Sequence, residues 1–293
     1  MAGEQVAFVP GHVTGFFSSH PDDDPTVAGS RGAGLTLADG VTVRLRPAGE
    51  TAVYLNDASI EIESVERVLD ALSARAVVSA ETDLPLASGF GVSGAMALGT
   101  ALAANAAFDR ALSRNELVTI AHGAEVQAGT GLGDVVAQAA GGVPIRLEPG
   151  APGEGLLDAV PERGIVEYVS FGELSTPRVL GGETDRLDEA GARALSALVR
   201  SPTLETVAFA SRRFAREAEL LTPQVEGAIR AVNAVDGEAS MAMLGETVFA
   251  IGTGLSDAGY DATRTAIDPC GARLCIGDVG GRPLEPGGSG RNP

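Results

Sequence analysis

The segment from Ser93 to Phe108 constrains this chain more than any other, because it is built almost wholly from Ala, Leu, Gly and Met. Helical spacing leaves it no polar face for water, so it predicts a helix enclosed by protein on nearly every side. Small side chains at such a helix let neighbouring elements come close. Upstream, Val77 to Ala80 reads as a strand that delivers the chain to Pro85, and Pro85-Leu86-Ala87-Ser88-Gly89-Phe90-Gly91-Val92-Ser93-Gly94 joins strand to helix.

That junction has the chemistry of an anion site. The first N–H groups of a helix have no intrahelical acceptor and carry partial positive charge, so a phosphate placed there is bound by backbone alone. Gly89 and Gly91 remove the Cβ atoms that would keep the backbone at a distance. Ser93, in the first turn, can offer its hydroxyl to a magnesium ion bridging phosphates. A glycine loop of this kind is also compatible with a plain strand-to-helix turn.

Composition makes the reading sharper, since every basic residue is Arg and the chain contains no Lys. A Walker-type loop depends on a Lys at the phosphates and is excluded. Acidic residues number 39 against 21 basic, a net charge of −18 that disfavours nucleic acid and anionic membrane as partners. An acidic, lysine-free surface resembles that of haloarchaeal proteins, in which salt screens the repulsion. Cys270 and Cys275 are too few for a disulfide framework and read as free thiols. The N-terminus lacks a basic leader and no segment approaches about 18 uncharged apolar residues, so a cytoplasmic protein is expected.

Elsewhere the pattern is mixed. Val6 to Val9 reads as a strand entering a turn at Pro10-Gly11-His12, and Leu35 to Arg46 as two strands broken at Asp39-Gly40. Val53 to Leu55 reads as a further strand. Ile60 to Ala76 shows helical periodicity, and Ser113 with Glu116 forms a capping-box pattern opening a helix through His122 to about Gln127. A second glycine loop, Gly129 to Gly133, leads to a helix starting at Asp134, and Val143 to Leu147 reads as a strand. The Pro- and Gly-rich stretch Glu148 to Glu154 is the expected domain boundary. Beyond it come a strand at Ile165 to Phe171, helices at about 188–200, 204–221 and 223–235, and strands near 247–251 and 272–276. Residues 283–293 have the composition of a disordered tail.

The stretch Pro10-Gly11-His12-Val13-Thr14-Gly15-Phe16-Phe17, the loop at 85–96, and Glu125 followed by Gly129-Thr130-Gly131-Leu132-Gly133-Asp134 resemble, in order and spacing, the GHMP kinases. The resemblance covers about residues 5–147. It implies an α+β fold of two domains, residues 1–152 like domain 2 of ribosomal protein S5 and residues 153–282 ferredoxin-like. It implies ATP and Mg2+ as cofactors and a homodimer. Carried onto this sequence, Pro85, Ser88, Gly89, Phe90, Gly91, Val92, Ser93 and Gly94 contact the nucleotide, Ser93 and Glu125 hold the metal, and Asp134 handles the proton of the attacking hydroxyl. Phe90, Val92 and Gly94 depart from the family loop, P-x-x-S-G-L-G-S-S-A, and the family's third glycine-rich stretch is matched only loosely by Gly252-Thr253-Gly254 and Cys270-Gly271.

Within the family, these segments together with Gly29 to Leu37 and Ala242 to Ala250 look most like the archaeal branch that phosphorylates pantoate. By that resemblance Ser30, His122 and Arg146 form the acid's subsite; a small carboxylate needs a fixed cation and a few donors. His12 stands where the mevalonate branch carries Lys, which counts against mevalonate. A homoserine-type kinase, a silent sensor of the same fold, and a dinucleotide-dependent oxidoreductase reading Gly129-x-Gly131-x-Gly133 are the rivals. The last has the wrong glycine spacing and follows a helix.

Overall fold

In the computed structural model of the chain, which describes residues 3–173, 184–243 and 245–275, the first two strands are far longer than the sequence predicts. β1 spans Gln5–His20 and β2 spans Gly29–Pro47, and they pair antiparallel along nearly their whole length. The turn expected at Pro10-Gly11-His12 and the break expected at Asp39-Gly40 are two sides of one bulge, where Pro10 faces Gly40 and Gly11 faces Leu37. Proline is tolerated there because its missing N–H falls where the ladder is already interrupted.

A third strand, β3 (Ala52–Leu55), pairs with β4 (Ala58–Ser59) and runs parallel to β5 (Ala76–Glu81), which pairs with β2. The start of β2 also pairs with β6 (Val143–Glu148), which carries β7 (Leu156–Val160). Residues 148–154 therefore join two strands of the same sheet. A second, four-stranded antiparallel sheet takes β8 (Ile165–Glu173), β9 (Glu238–Ala242), β10 (Gly245–Ile251) and β11 (Thr263–Ala266) in the order β11-β8-β10-β9. β12 (Arg273–Cys275) then returns to the outer edge of β1. β7, β9 and β11 are strands the sequence reading did not anticipate; the expected strand end at Ile276 and the tail at 283–293 lie outside the described residues.

Helices α1 (Glu63–Ala71), α2 (Val92–Ala107), α3 (Arg114–Ala128) and α4 (Asp134–Ala140) belong to the first half. α3 opens as its sequence predicts: Ser113 Oγ accepts from Glu116 N–H, and Glu116 accepts from Ser113 N–H at 2.7 Å. In the second half, α5 (Thr184–Arg200) and α6 (Leu204–Glu217) pack on β1, while α6 and α7 (Pro223–Asn233) pack on β9. A single turn, α8 (Gly254–Asp257), follows β10.

The bulge divides β1 and β2 between two cores. Ala7, Val9, Val41, Val43 and Leu45 lie in a core with α1, α2 and α3. Past the bulge, Val13, Phe16, Phe17, Leu35 and Leu37 belong to a core shared with the second sheet and with α5 to α7. α2 is buried along almost its entire length, as its composition requires.

Its approach to β2 depends on Gly99, where a Cβ would stand 2.5 Å from Val43 Cγ2 and 3.0 Å from Val43 Cβ. Val43 is β-branched and fixed to a central strand, so it cannot swing aside. Ala gains about 1 kcal/mol in helix propensity over Gly, but overpacking costs about 1–3 kcal/mol. Gly99→Ala should therefore lower stability by about 1–2 kcal/mol, read as a lower urea midpoint at unchanged m-value.

Candidate active site

The phosphate loop leaves β5 and enters α2 through Gly91, whose φ of 65° is left-handed and which provides no side-chain cap. The first helical N–H to find an intrahelical acceptor is that of Ala95, bonded to the Gly91 carbonyl at 3.0 Å. The amides of Val92, Ser93 and Gly94 thus point out of an uncapped helix start, the arrangement an anion requires. Leu86, Ala87, Gly89, Gly91, Val92 and Ser93 line a cavity of about 430 Å³ that also touches Ile60, Ile62 and Glu63.

Pro85, Ser88 and Gly94 do not line that cavity. Ser88 is buried beneath the loop, its hydroxyl bonded to Leu86 O at 3.0 Å and its carbonyl accepting from Thr247 Oγ1 on β10 at 3.0 Å. Phe90 is also buried by its ring, which packs on Tyr168 of β8 with centroids 4.8 Å apart, while its carbonyl accepts from His12 N–H at 3.0 Å. Gln138 of α4 donates to the Gly91 carbonyl at 2.9 Å.

The Gly129–Gly133 loop brings two carboxylates together. A Cβ on Gly131 would lie 2.7 Å from Glu125 Oε2 and 3.5 Å from Asp134 Oδ2, so both groups converge on one point. Glu125 is buried, with Oε1 accepting from Thr130 Oγ1 at 2.9 Å and Oε2 from Ser93 Oγ at 3.2 Å. Burial pushes its carboxyl above the ordinary range, with the nearby Asp134 charge adding to the effect and hydroxyl hydrogen bonds opposing it. Ser93 and Glu125 are thus neighbours, as a shared ion requires, although they lie 32 positions apart.

Asp134, at the first position of α4, is flanked on one side by Gly91 of the phosphate loop and on the other by Arg146 of β6. Its Oδ1 accepts from His12 Nδ1 at 2.6 Å. Burial alone would raise the Asp134 carboxyl, but the hydrogen bond from His12, the charge His12 carries when protonated and the Arg146 charge outweigh it and hold the group below the ordinary carboxylate range. Asp134, Thr14, Thr130 and Met243 border both the loop cavity and a smaller one of about 160 Å³.

Ser30 and Arg146 line the smaller cavity together with Phe17 and Leu132. A Cβ on Gly133 would meet Ser30 Oγ at 2.5 Å and Arg146 Nε at 2.6 Å, so glycine is what lets these two donors converge. Ser30 Oγ donates to Leu132 O at 3.2 Å. Arg146 is only 2% exposed, and among the described residues its Nε and Nη1 have no hydrogen-bond partner. Burial pulls its guanidinium down to about 10 while the Asp134 charge opposes the shift, so it stays charged at neutral pH. His122 does not line this cavity; its Nε2 bonds the Ala28 carbonyl at 2.8 Å and braces the strand leading to Ser30.

The N-terminal domain of the GHMP kinases matches residues 61–142, the segment that carries the phosphate loop, Glu125 and Asp134. The chain is 34% identical over 252 residues to pantoate kinase of Methanocaldococcus jannaschii, covering 83% of this chain and 91% of that protein. It is 35% identical over 261 residues to the pantoate kinase of Thermococcus kodakarensis, covering 84% and 86%. The chain belongs to the pantoate kinase branch of the GHMP kinases.

Among solved structures, a phosphotransferase related to the CoA biosynthesis pathway superposes with a TM-score of 0.84 at 29% identity, over 94% of this chain and all of that one. Homoserine kinase from Cytophaga hutchinsonii shares the fold, with a TM-score of 0.69 at 15% identity over 94% of this chain and 98% of the other. The α+β GHMP fold expected from the sequence is therefore the fold observed. His12 and Thr14 carry more of the site than the motif alone indicated. Their two-residue spacing on one strand puts them on a common face, a signal that the expected turn at residues 10–12 concealed.

Two guanidinium nitrogens of Arg146 are unpaired among the described residues, and the neighbouring Asp134 charge offsets only part of the desolvation cost until a further anion arrives. Arg146→Met, which keeps the apolar stem, should raise the unfolding free energy of the ligand-free protein by about 1 kcal/mol or more, measured by thermal or urea denaturation. A clear loss of stability instead would mean that the guanidinium is already satisfied in the folded chain.

Proposed function

We propose that the protein transfers the γ-phosphoryl group of ATP to the terminal hydroxyl of (R)-pantoate, giving ADP and 4-phosphopantoate on a route to coenzyme A. The observation that carries this reading is Arg146, a buried guanidinium facing the same small cavity as Asp134. It marks the acceptor as a small anion and sets the end at which its charge sits.

In this reading the ATP phosphates lie against the amides of Val92, Ser93 and Gly94, in a loop whose shape Pro85, Ser88, Gly89, Phe90 and Gly91 set. The pantoate carboxylate binds Arg146 and Ser30, with His122 bracing that strand through Ala28. The branched carbon of pantoate lies against Phe17, Leu132 and Met243, which supply the apolar wall of the cavity. The terminal hydroxyl then faces Asp134, the carboxylate among the residues that border both cavities. As its oxygen bonds the γ-phosphorus, the bond from phosphorus to the bridging oxygen of ADP breaks, and the hydroxyl proton passes to Asp134. A carboxylate held below its ordinary range is a weak base, so Asp134 orients the hydroxyl first and takes the proton late, as a loose phosphoryl-transfer transition state permits.

Ser93 and Glu125 fit a magnesium ion: both donors are oxygen, one is a buried carboxylate, and nothing but hydroxyl groups satisfies it. When bound, the ion supplies neutralisation of the phosphate charge. We also propose that residues 1–152 form the part carrying the phosphate loop and Asp134, and that residues 153–282 form the part that brings Met243 to the cavity, although β7 and β12 of that part pair into the first sheet. A homodimer is proposed on family resemblance. A cytoplasmic setting is supported by the free thiols of Cys270 and Cys275.

The test is ADP release by purified protein in molar KCl with pantoate, mevalonate and homoserine as acceptors. Turnover with pantoate, abolished by EDTA, is the expected result; turnover of mevalonate or homoserine alone would transfer the activity to a sibling. Asp134→Asn should retain nucleotide binding while losing roughly 100-fold or more in kcat. An unchanged rate would remove Asp134 from the chemistry.

A further inference from the structure

His12 is the one buried side chain at this site to which neither the phosphate nor the acid gives a task. It lies on β1, fully buried, 122 positions from Asp134, yet its Nδ1 approaches Asp134 Oδ1 to 2.6 Å. Its Nε2 is buried with no partner among the described residues. Room for the ring on that side exists because residue 34 is glycine: a Cβ there would stand 2.5 Å from Nε2. A position selected for packing alone would carry an apolar residue, since an imidazole here leaves one ring nitrogen dry and unpaired. The compensation is the bond to Asp134.

We infer that His12 is a positioning residue: it donates Nδ1–H to Oδ1 of Asp134, fixing the carboxylate so that Oδ2 stays turned to the acceptor hydroxyl. This rests on the reading of Asp134 as the group that receives the hydroxyl proton. The geometry decides the tautomer. Oδ1 accepts, so Nδ1 must carry a proton, and among the described residues Nε2 has no acceptor; we assign the ring to the neutral Nδ1–H form. Burial also draws the imidazole below its usual value, and of the charged groups facing it Asp134 opposes that shift while Arg146 of β6 reinforces it. His12 therefore offers direction and no charge.

Two further contacts make the bond mechanically useful. The backbone N–H of His12 donates to Phe90 O at 3.0 Å, so the residue that orients Asp134 is also tied to the phosphate loop. Oδ2, the oxygen left for the substrate, lies on the side of Gly131, part of the wall of the acceptor cavity. One residue thereby sets the separation between the proton acceptor and the phosphates, and misplacement by about 1 Å is enough to cost roughly 100-fold in rate.

The experiment has two arms. In the first, imidazole 15N spectra are recorded on the wild-type protein between pH 6 and 9; the chain has 3 His, and His12→Asn identifies the signal. A bare Nε2 and a protonated Nδ1 across the range are expected, and an Nε2–H tautomer or an imidazolium at neutral pH overturns the inference. In the second arm, kcat and KM are compared for His12→Leu, which removes the donor, and His12→Asn, whose amide can replace the Nδ1 donor. The expected outcome is a loss of about 10- to 100-fold in kcat for His12→Leu with both KM values nearly unchanged, and substantial recovery in His12→Asn. Equal losses in the two variants, or an effect confined to KM, overturn it. Should the wild type phosphorylate none of the acids offered, the functional reading fails by itself, and the spectra still decide the hydrogen bond.

Discussion

Three backbone amides at the start of α2 have no acceptor among the described residues, and the loop around them is held in place by the elements it touches. A serine or aspartate at residue 91 would cap the helix and close the site; glycine in the left-handed region does not. With no Lys in the chain, the proposed grip on phosphate falls to these amides and the helix dipole. Their direction is then fixed from three sides. Gln138 holds the Gly91 carbonyl, His12 holds the Phe90 carbonyl, and Thr247 holds the Ser88 carbonyl from the second sheet. Both halves of the molecule therefore serve as parts of one loop's support.

The electrostatics follow from this economy of cations. A chain with a net charge of −18 repels the polyanion it must bind, so attraction has to be local and desolvated to prevail over the surrounding field. In the proposed reading Arg146 meets that need for the acid, since it is buried where screening by salt is weak. Glu125 is the converse: a carboxyl raised by burial and, among the described residues, bonded through its side chain to hydroxyls, which is why a cation is proposed there. Each carries a desolvation penalty in the empty protein that a bound ligand relieves, which is how binding free energy becomes specificity for the correctly charged partner.

Legibility in the sequence tracked locality. The buried helix, the capping box at Ser113, the Asp134 helix start and the glycine loops were readable because each depends on residues a few positions apart. Ser93 and Glu125 were found through a motif, and the fold places them side by side. The turn expected at Pro10-Gly11-His12 failed because Pro and Gly interrupt a lone strand's pattern, while a bulge formed against β2 absorbs both. β7, β9 and β11 are strands of 5, 5 and 4 residues, too short for a period-two pattern to stand out, even though β7 and β9 pair with their sequence neighbours β6 and β10. His122 was assigned to the acid's subsite by resemblance, and no local pattern shows that its ring bonds the Ala28 carbonyl, two residues before Ser30. The His12 bond to Asp134 spans too many residues for any pattern of spacing to disclose it.

The bulge that hid these strands also explains why the chemistry sits where it does. It is the point at which β1 and β2 pass from the core beneath α2 to the core shared with the second sheet. Gly11 and His12 lie at that crossing, where the strand direction is pinned from both layers. A neutral imidazole suits the location better than a cation, because Arg146 already places one buried positive charge beside Asp134, and a second would raise the cost of burying both. In the proposed reading, a ring that is neutral at neutral pH leaves Arg146 as the positive charge beside Asp134 there, and an acid bound at Arg146 would neutralise it in turn. Substrate binding would then weaken the hold on the Asp134 charge and strengthen it as a base at the moment the hydroxyl is in place.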